Sequence, residues 1–236
     1  MKLTIYTVVT YDYFYFAEVF VSSLKENYPD EKLNKIIINE LGLSDQQRLD
    51  LQKMHNKVEY IKTTEEEIRT QNIHSESWRK AVNQKTLGLE KICKKENYPI
   101  LMLDLDMQVL SDFSDEIFDN CDIQVCSRPT SVNRDGYLLD HIGCWFVIHN
   151  DTGKLFLDSW KKNIPNIISG PVETPALCAT IKQNEHNITI KTNHAKIVAN
   201  INRNPDAKIL HFKSTGAKMS VATRVKNLRG EQHELQ

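Results

Sequence analysis

Asp104 and Asp106 close an apolar run, Ile100-Leu101-Met102-Leu103, that starts after the turn signal Asn97-Tyr98-Pro99. An uninterrupted apolar run bounded by a turn reads as a buried strand of a parallel sheet. The two carboxylates then fall where the strand leaves the sheet, which is where ligands bind in open α/β folds. Two acids side by side at such a point are costly unless a cation neutralises them. Hard divalent ions take oxygen ligands, and Mg2+ or Mn2+ in turn grips phosphates. The stretch therefore points to a metal site for a phosphorylated ligand. Asp-x-Asp alone is also the pattern of two solvated acids at a strand end, so the rest of the chain has to decide.

Two further sets of residues could join that chemistry. Lys85 falls on the helical stripe Trp78, Ala81, Val82, Leu89 and Ile92. It either buries its stem and leaves the ammonium in water, or its amine reaches a carboxylate of the metal site or a diphosphate. His211 directly follows the short strand Ile209-Leu210, where a neutral imidazole could be a third metal ligand. Gly216 permits a tight turn with backbone N–H groups facing an anion, and Lys213 and Lys218 add positive charge for phosphates. Taken alone, this stretch is also an ordinary surface loop with a histidine.

The elements that must position these residues are readable from pattern. Leu3–Thr10 is β-branched and reads as the first strand. Phe16, Val19, Phe20 and Leu24 recur at helical spacing up to about Asn27. Lys35–Asn39 and Val58–Ile61 read as the second and third strands. Ser44 with Gln47, and Thr64 with Glu67, read as capping boxes. Four strands alternating with helices predict a parallel, doubly wound sheet. Beyond Asp106, Asp122–Cys126 and Ile142–Ile148 read as strands, and Arg128–Asp140 as a mobile polar loop. Thr152–Lys161 reads as a helix with Leu155, Phe156 and Trp160 inward. Pro175 suits the first turn of another helix. One continuous domain is expected over residues 1–222, with a nucleotide-binding half at 1–110, an acceptor and sugar half at 111–222, and a polar tail at 223–236.

Composition narrows the classes. With 40% hydrophobic and 26% charged residues, the 236-residue chain has an ordinary globular make-up, and a net charge of -1 argues against bulk nucleic-acid binding. No apolar run is long enough to cross a membrane, and the N-terminus lacks a signal-peptide core. Cys93, Cys121, Cys126, Cys144 and Cys178 are scattered without Cys-x-x-Cys spacing, which suggests reduced thiols and a cytoplasmic location, not a disulfide framework or a zinc site. Lys213, Lys218, Arg224, Lys226 and Arg229 form a basic C-terminal stretch. It is either a solvated tail or a loose contact with the inner face of an anionic membrane.

Taken together, the pieces resemble a GT-A-type glycosyltransferase, closest in pattern to glycosyltransferase family 8 and its relatives. Leu3–Thr10 resembles the first nucleotide-binding strand, and Ile100–Val109 the Asp-x-Asp signature. Ile142-Gly143-Cys144-Trp145-Phe146 resembles the strand whose small residues face the donor sugar. His211-Phe212, Gly216 and Lys218 resemble the C-terminal His-Phe-x-Gly-x-x-Lys element, with different spacing around Gly216. The family's Asp-Gln after the sugar-facing strand is replaced by Glu173-Thr174, and no Pro-Trp follows Lys218.

The resemblance implies a mostly parallel Rossmann-like sheet flanked by helices, with a small additional C-terminal part. It implies a metal-dependent enzyme that moves a sugar, with retention, from a nucleotide-diphosphate sugar to a saccharide or lipid-linked acceptor, UDP being the first candidate carrier. Asp104, Asp106 and His211 would hold Mn2+ or Mg2+. Thr7, Tyr11 and Asp104 would contact the nucleoside, with Tyr11 stacking on the base. Lys85, Gly143, Gly216 and Lys218 would line the donor, and Glu173 would be the catalytic carboxylate. Two other classes compete. Haloacid-dehalogenase-type phosphatases also place Asp-x-Asp after an apolar strand, but no matching downstream acidic pair is present here. A nucleotide- or sugar-binding module without turnover is the third reading.

Overall fold

The computed structural model describes residues 2–69, 75–97, 99–133, 136–167, 172–194, 197–200 and 206–212. Its first half alternates β1 (Leu3–Thr10), α1 (Phe14–Asn27), β2 (Leu33–Leu41), α2 (Asp45–Met54), β3 (Val58–Ile61), α3 (Glu76–Cys93) and β4 (Ile100–Leu103). It continues through β5 (Met107–Val109), β6 (Ile123–Val132), β7 (Leu138–Ile148), α4 (Asp151–Asn163), α5 (Glu173–Gln183), β8 (Ile190–Asn193), β9 (Val198–Asn200) and β10 (Ile209–His211).

Among the described residues the main sheet has seven strands in the order β3-β2-β1-β4-β7-β6-β8. The first four are mutually parallel, β7 runs antiparallel to both β4 and β6, and β8 is parallel to β6. The sheet is thus mostly parallel and carries helices on both faces, as the alternation of elements predicts. Strands β1 and β4 are buried on both faces, which is why β4 reads as an unbroken apolar run and β1 as a β-branched one with its threonines inside. Leu3, Ile5 and Val9 of β1 pack with Phe16, Phe20 and Leu24 of α1. Tyr6 points the other way, into a core with Leu89 of α3, Phe156 and Trp160 of α4, and Leu177 of α5. A second sheet, β5-β10-β9, packs on the α1 side through Met107, Val109 and Ile209.

Local sequence chemistry explains the boundaries. Ser44 Oγ accepts from Gln47 N–H while the Gln47 side chain reaches back to the Ser44 N–H, the expected capping box. Ser75 caps α3 and Asn150 caps α4. All five cysteines are buried as thiols, outside any disulfide.

Three expectations are corrected. Thr64 does not open a helix: its hydroxyl accepts from the Glu66 N–H in a local turn, and Glu67 pairs with Arg69. The segment has a cap without the apolar face that a helix needs to bury. Arg128–Asp140 is not a loop throughout, because β6 runs to Val132 and β7 starts at Leu138, making a hairpin. Leu155 is exposed on α4, and Leu157 takes the inward position. The basic C-terminal stretch from residue 213, with Gly216 and Lys218, lies outside the described residues.

Candidate active site

The apolar run ends at Leu103, and the Asp104 N–H donates to the Cys144 carbonyl at 3.3 Å, the last tie to the main sheet. Three residues after Asp104, β5 begins the second sheet. Asp104 and Asp106 therefore sit in the step between the sheets. His211 pairs with Met107 across β10 and β5, and the Phe212 N–H donates to the Asp106 carbonyl at 2.8 Å. That ladder brings the imidazole to the same step. One ligand atom from each of Asp104, Asp106 and His211 lies within 4.8 Å of the others. His211 Nε2 is 3.2 Å from Asp106 Oδ1 and 3.7 Å from Asp104 Oδ2.

The electrostatics show what this group lacks. Burial would raise the Asp106 pKa, but His211 more than reverses that and holds it at about 2. Burial likewise opposes charge on His211, and the neighbouring Asp106 outweighs it, holding the imidazole well above its ordinary value. A proton on His211 thus does part of the work of a cation. Two carboxylate oxygens and one imidazole nitrogen suit a divalent ion, so the residues fit the metal that the sequence pattern implies.

Lys85 joins the group from α3. Its Nζ lies 2.5 Å from Asp104 Oδ1 and 2.9 Å from a Glu173 carboxylate oxygen. Burial alone would lower its pKa, but Asp104 and Glu173 together hold it above the ordinary lysine value. The amine is therefore turned inward. Its depth is set by Gly88 one turn along. A Cβ at Gly88 would stand 1.9 Å from the Tyr6 hydroxyl, so only glycine lets α3 lie this close to β1. The Tyr6 hydroxyl donates to the Gln84 carbonyl at 3.1 Å, beside Lys85 in the chain.

Glu173 is the first residue of α5 and is buried. Trp160 Nε1 donates to its carbonyl at 3.0 Å, tying α5 to α4. Gly143 lies under this helix start: its N–H donates to Thr174 Oγ1 at 3.3 Å, and a Cβ there would meet Thr174 Oγ1 at 2.9 Å and Glu173 Cγ at 3.2 Å. The small residue of β7 thus seats the carboxylate. On β1, the Thr7 hydroxyl is buried without a hydrogen-bond partner among the described residues. Tyr11, just past the end of β1, is exposed, and the Arg69 guanidinium lies 4.8 Å from its ring centroid.

Sequence reasoning missed three neighbours. Arg69 follows the abortive Thr64 cap and is held near β2 because the Ile68 N–H donates to the Leu41 carbonyl at 3.0 Å. Nothing in its spacing marked it. Cys144, whose carbonyl accepts from the Asp104 N–H, reads in the sequence as a scattered thiol and as part of the sugar-facing strand, neither of which marks its place beside the acidic pair. Thr174 was visible as the partner of Glu173 in the sequence, but its contact with Gly143 depends on the register between α5 and β7.

No family model matches the sequence, and no curated protein matches it either. Solved structures do. The bifunctional glycosyltransferase WbbM superposes with a TM-score of 0.64 at 9% identity, over 96% of this chain and 49% of WbbM. The galactosyltransferase LgtC, in complex with donor and acceptor sugar analogs, gives 0.61 at 11% identity, over 99% of this chain and 97% of that one. The glycosyltransferase GlyE of Streptococcus pneumoniae gives 0.57 at 15% identity, over 98% of this chain and 64% of GlyE. The chain thus spans about half of WbbM and nearly all of LgtC. At these identities the shared property is the fold, and the chain is an α/β protein with the GT-A-like fold of these glycosyltransferases.

Proposed function

We propose that the chain is a metal-dependent glycosyltransferase. It would move a hexosyl group, with retention, from a nucleoside-diphosphate sugar to a saccharide or lipid-linked acceptor, with UDP as the first candidate carrier. The observation that supports this most is the meeting of Asp104, Asp106 and His211 with the Lys85–Glu173 pair at the end of β4. A bound Mn2+ or Mg2+ would supply positive charge to the diphosphate leaving group. Asp104, Asp106 and His211 would hold that ion.

The remaining roles follow from placement. Tyr11 offers an exposed ring to the base, and Thr7 a buried hydroxyl in need of a partner. Lys85 bridges Asp104 and Glu173 and fixes their spacing. Glu173 can accept a hydrogen bond from a donor-sugar hydroxyl and stabilise positive charge developing at the anomeric carbon. Gly143 keeps that space free of a side chain. Gly216 and Lys218 keep the diphosphate contacts that the family resemblance implies. A lipid-linked acceptor would bring the basic C-terminal stretch to an anionic surface. In that case vesicle binding falls with salt, and equal recovery on neutral and anionic vesicles at low salt rules the contact out.

Thermal shifts with UDP, GDP, CDP and dTDP, each with and without Mn2+, test the reading. A nucleotide at a hundred times its Kd stabilises the native state by about 2.7 kcal/mol. The expected outcome is a Mn2+-dependent shift with UDP that disappears in Asp106→Asn while the fold persists. Binding of UDP plus Mn2+ by that variant as tight as the parent's would refute the metal assignment.

A further inference from the structure

A second set of ligand-type side chains, sharing no residue with the first, gathers where β7 begins. Asp140 Oδ1 and His141 Nδ1 are 2.8 Å apart. One ligand atom from each of Asp140, His141 and Cys178 lies within 4.8 Å of the others. Consecutive residues of a regular strand point to opposite faces, so Asp140 and His141 would not converge in an ideal β7. They converge because the hairpin is irregular at this point. Ser127 faces His141 and Ser131 faces Leu139, so the stretch of β6 between them stands opposite Asp140 alone. Bulges re-aim side chains in this way.

The third member comes from another element. Cys178 is buried on α5, with its thiol donating to the His141 carbonyl at 3.8 Å. The second ring nitrogen of His141, Nε2, lies 3.5 Å from Thr192 Oγ1 on β8. A ligating histidine commonly uses its outer nitrogen in this way, which fixes the ring. The His141 side chain is 13% exposed and that of Asp140 39%, so the cluster has a wet side where a fourth ligand can sit. Burial pushes the Cys178 thiol up, and the ion-free chain keeps that proton. A bound cation would release it to solvent as the sulfur becomes a thiolate ligand.

We propose that Asp140, His141 and Cys178 form a zinc-type divalent metal site that clamps α5 to β7. One sulfur, one nitrogen and one oxygen with an open fourth position is a zinc-like set, softer than the Asp104, Asp106 and His211 group. The proposal stands whether or not the chain transfers sugars. Its structural consequence is specific, because α5 starts at Glu173 and a clamp on Cys178 fixes the helix that carries that carboxylate.

Cobalt titration of the full chain tests it. Co2+ bound to a thiolate gives a sulfur-to-metal charge-transfer band that oxygen and nitrogen ligands alone do not. The band is expected in the parent and in Asp106→Asn, bleached by one equivalent of Zn2+, and lost in Cys178→Ser. Zn2+ should raise the melting temperature of Asp106→Asn and leave that of Cys178→Ser unmoved. Should Cys178→Ser fold poorly, His141→Gln is expected to lose the band as well. Thr192→Val, at an exposed position, should bind Co2+ about tenfold more weakly with its metal-free melting temperature unchanged. Absence of the band in Asp106→Asn, or its persistence in Cys178→Ser or His141→Gln, overturns the proposal.

Discussion

Glu173 begins a helix and also shares the Lys85 amine with Asp104. An acid that served only the helix dipole would be replaceable by Gln at a cost of a few tenths of a kcal/mol, about 0.3–1 at most. The buried pairing makes the expected stability loss of Glu173→Gln larger, about 1–2 kcal/mol. Turnover should fall far more, by about a hundredfold or greater, with donor binding little changed. Unchanged turnover in a folded variant sinks the catalytic role. Lys85→Met makes the complementary test. It leaves the carboxylates of Asp104, Asp106 and Glu173 close together with one cation fewer. Loss of one partner of a buried ion pair costs about 3–5 kcal/mol. Mn2+ should recover part of that, so the variant's melting temperature should rise more on adding Mn2+ than the parent's. A Lys85→Met protein as stable as the parent without metal would show that the amine is not neutralising the group.

At the scale of elements, the contact between α3 and β1 sets how far Lys85 reaches. Gly88→Ala improves helix propensity by about 1 kcal/mol. The added methyl would nevertheless meet Tyr6 Cζ at 2.6 Å and its hydroxyl oxygen closer still. The expected result is a net loss of about 1–3 kcal/mol. Tyr6→Phe removes the clashing oxygen and should cost less in the Gly88→Ala background than alone, giving a favourable coupling in a double-mutant cycle. Additive losses would place the strain elsewhere. Packing of this kind is what the sequence could not show. Strand β4 was legible because double-sided burial demands an unbroken apolar run, β1 to β3 by their β-branched and aromatic residues, and α3 because its stripe has helical spacing. The turn-side ends of the hairpin strands were hidden because Arg128, Ser131 and Val132 lie at least partly in water and need no apolar alternation. The metal-ligating types at Asp104, Asp106 and His211 stood out by chemistry and by following strands. Arg69 has no such mark, since its place over Tyr11 comes from a turn fixed by Ile68 and Leu41.

Across the whole molecule, buried and half-buried histidines link stability to acidity. Burial lowers the pKa of His55, whose Nδ1 accepts from the Lys57 N–H at 3.3 Å, and burial also lowers that of His149. The unfolded chain binds protons at these sites below about pH 6.5, and the folded chain resists them until lower pH. Their contribution to stability is therefore full above that pH and declines as pH falls through it. His211 has the opposite sign in the ion-free protein, because its raised pKa favours the folded state when protonated. Urea melts between pH 7 and 5 should show a shallower acid loss in His55→Gln than in the parent. Identical slopes would show that His55 does not titrate differently on folding. The pairing of β10 with β5 bears on how such a protein is made. Chains leave the ribosome N-terminus first and fold as they emerge. The parallel core β3-β2-β1-β4 and both aspartates are synthesised well before Ile209 and His211. A nascent chain can thus hold a nearly complete scaffold and two bare carboxylates, yet have no imidazole to finish the cluster. If the proposed function holds, reactivity would wait for the strand that carries His211, so a chain released before that point would be inert rather than a careless catalyst.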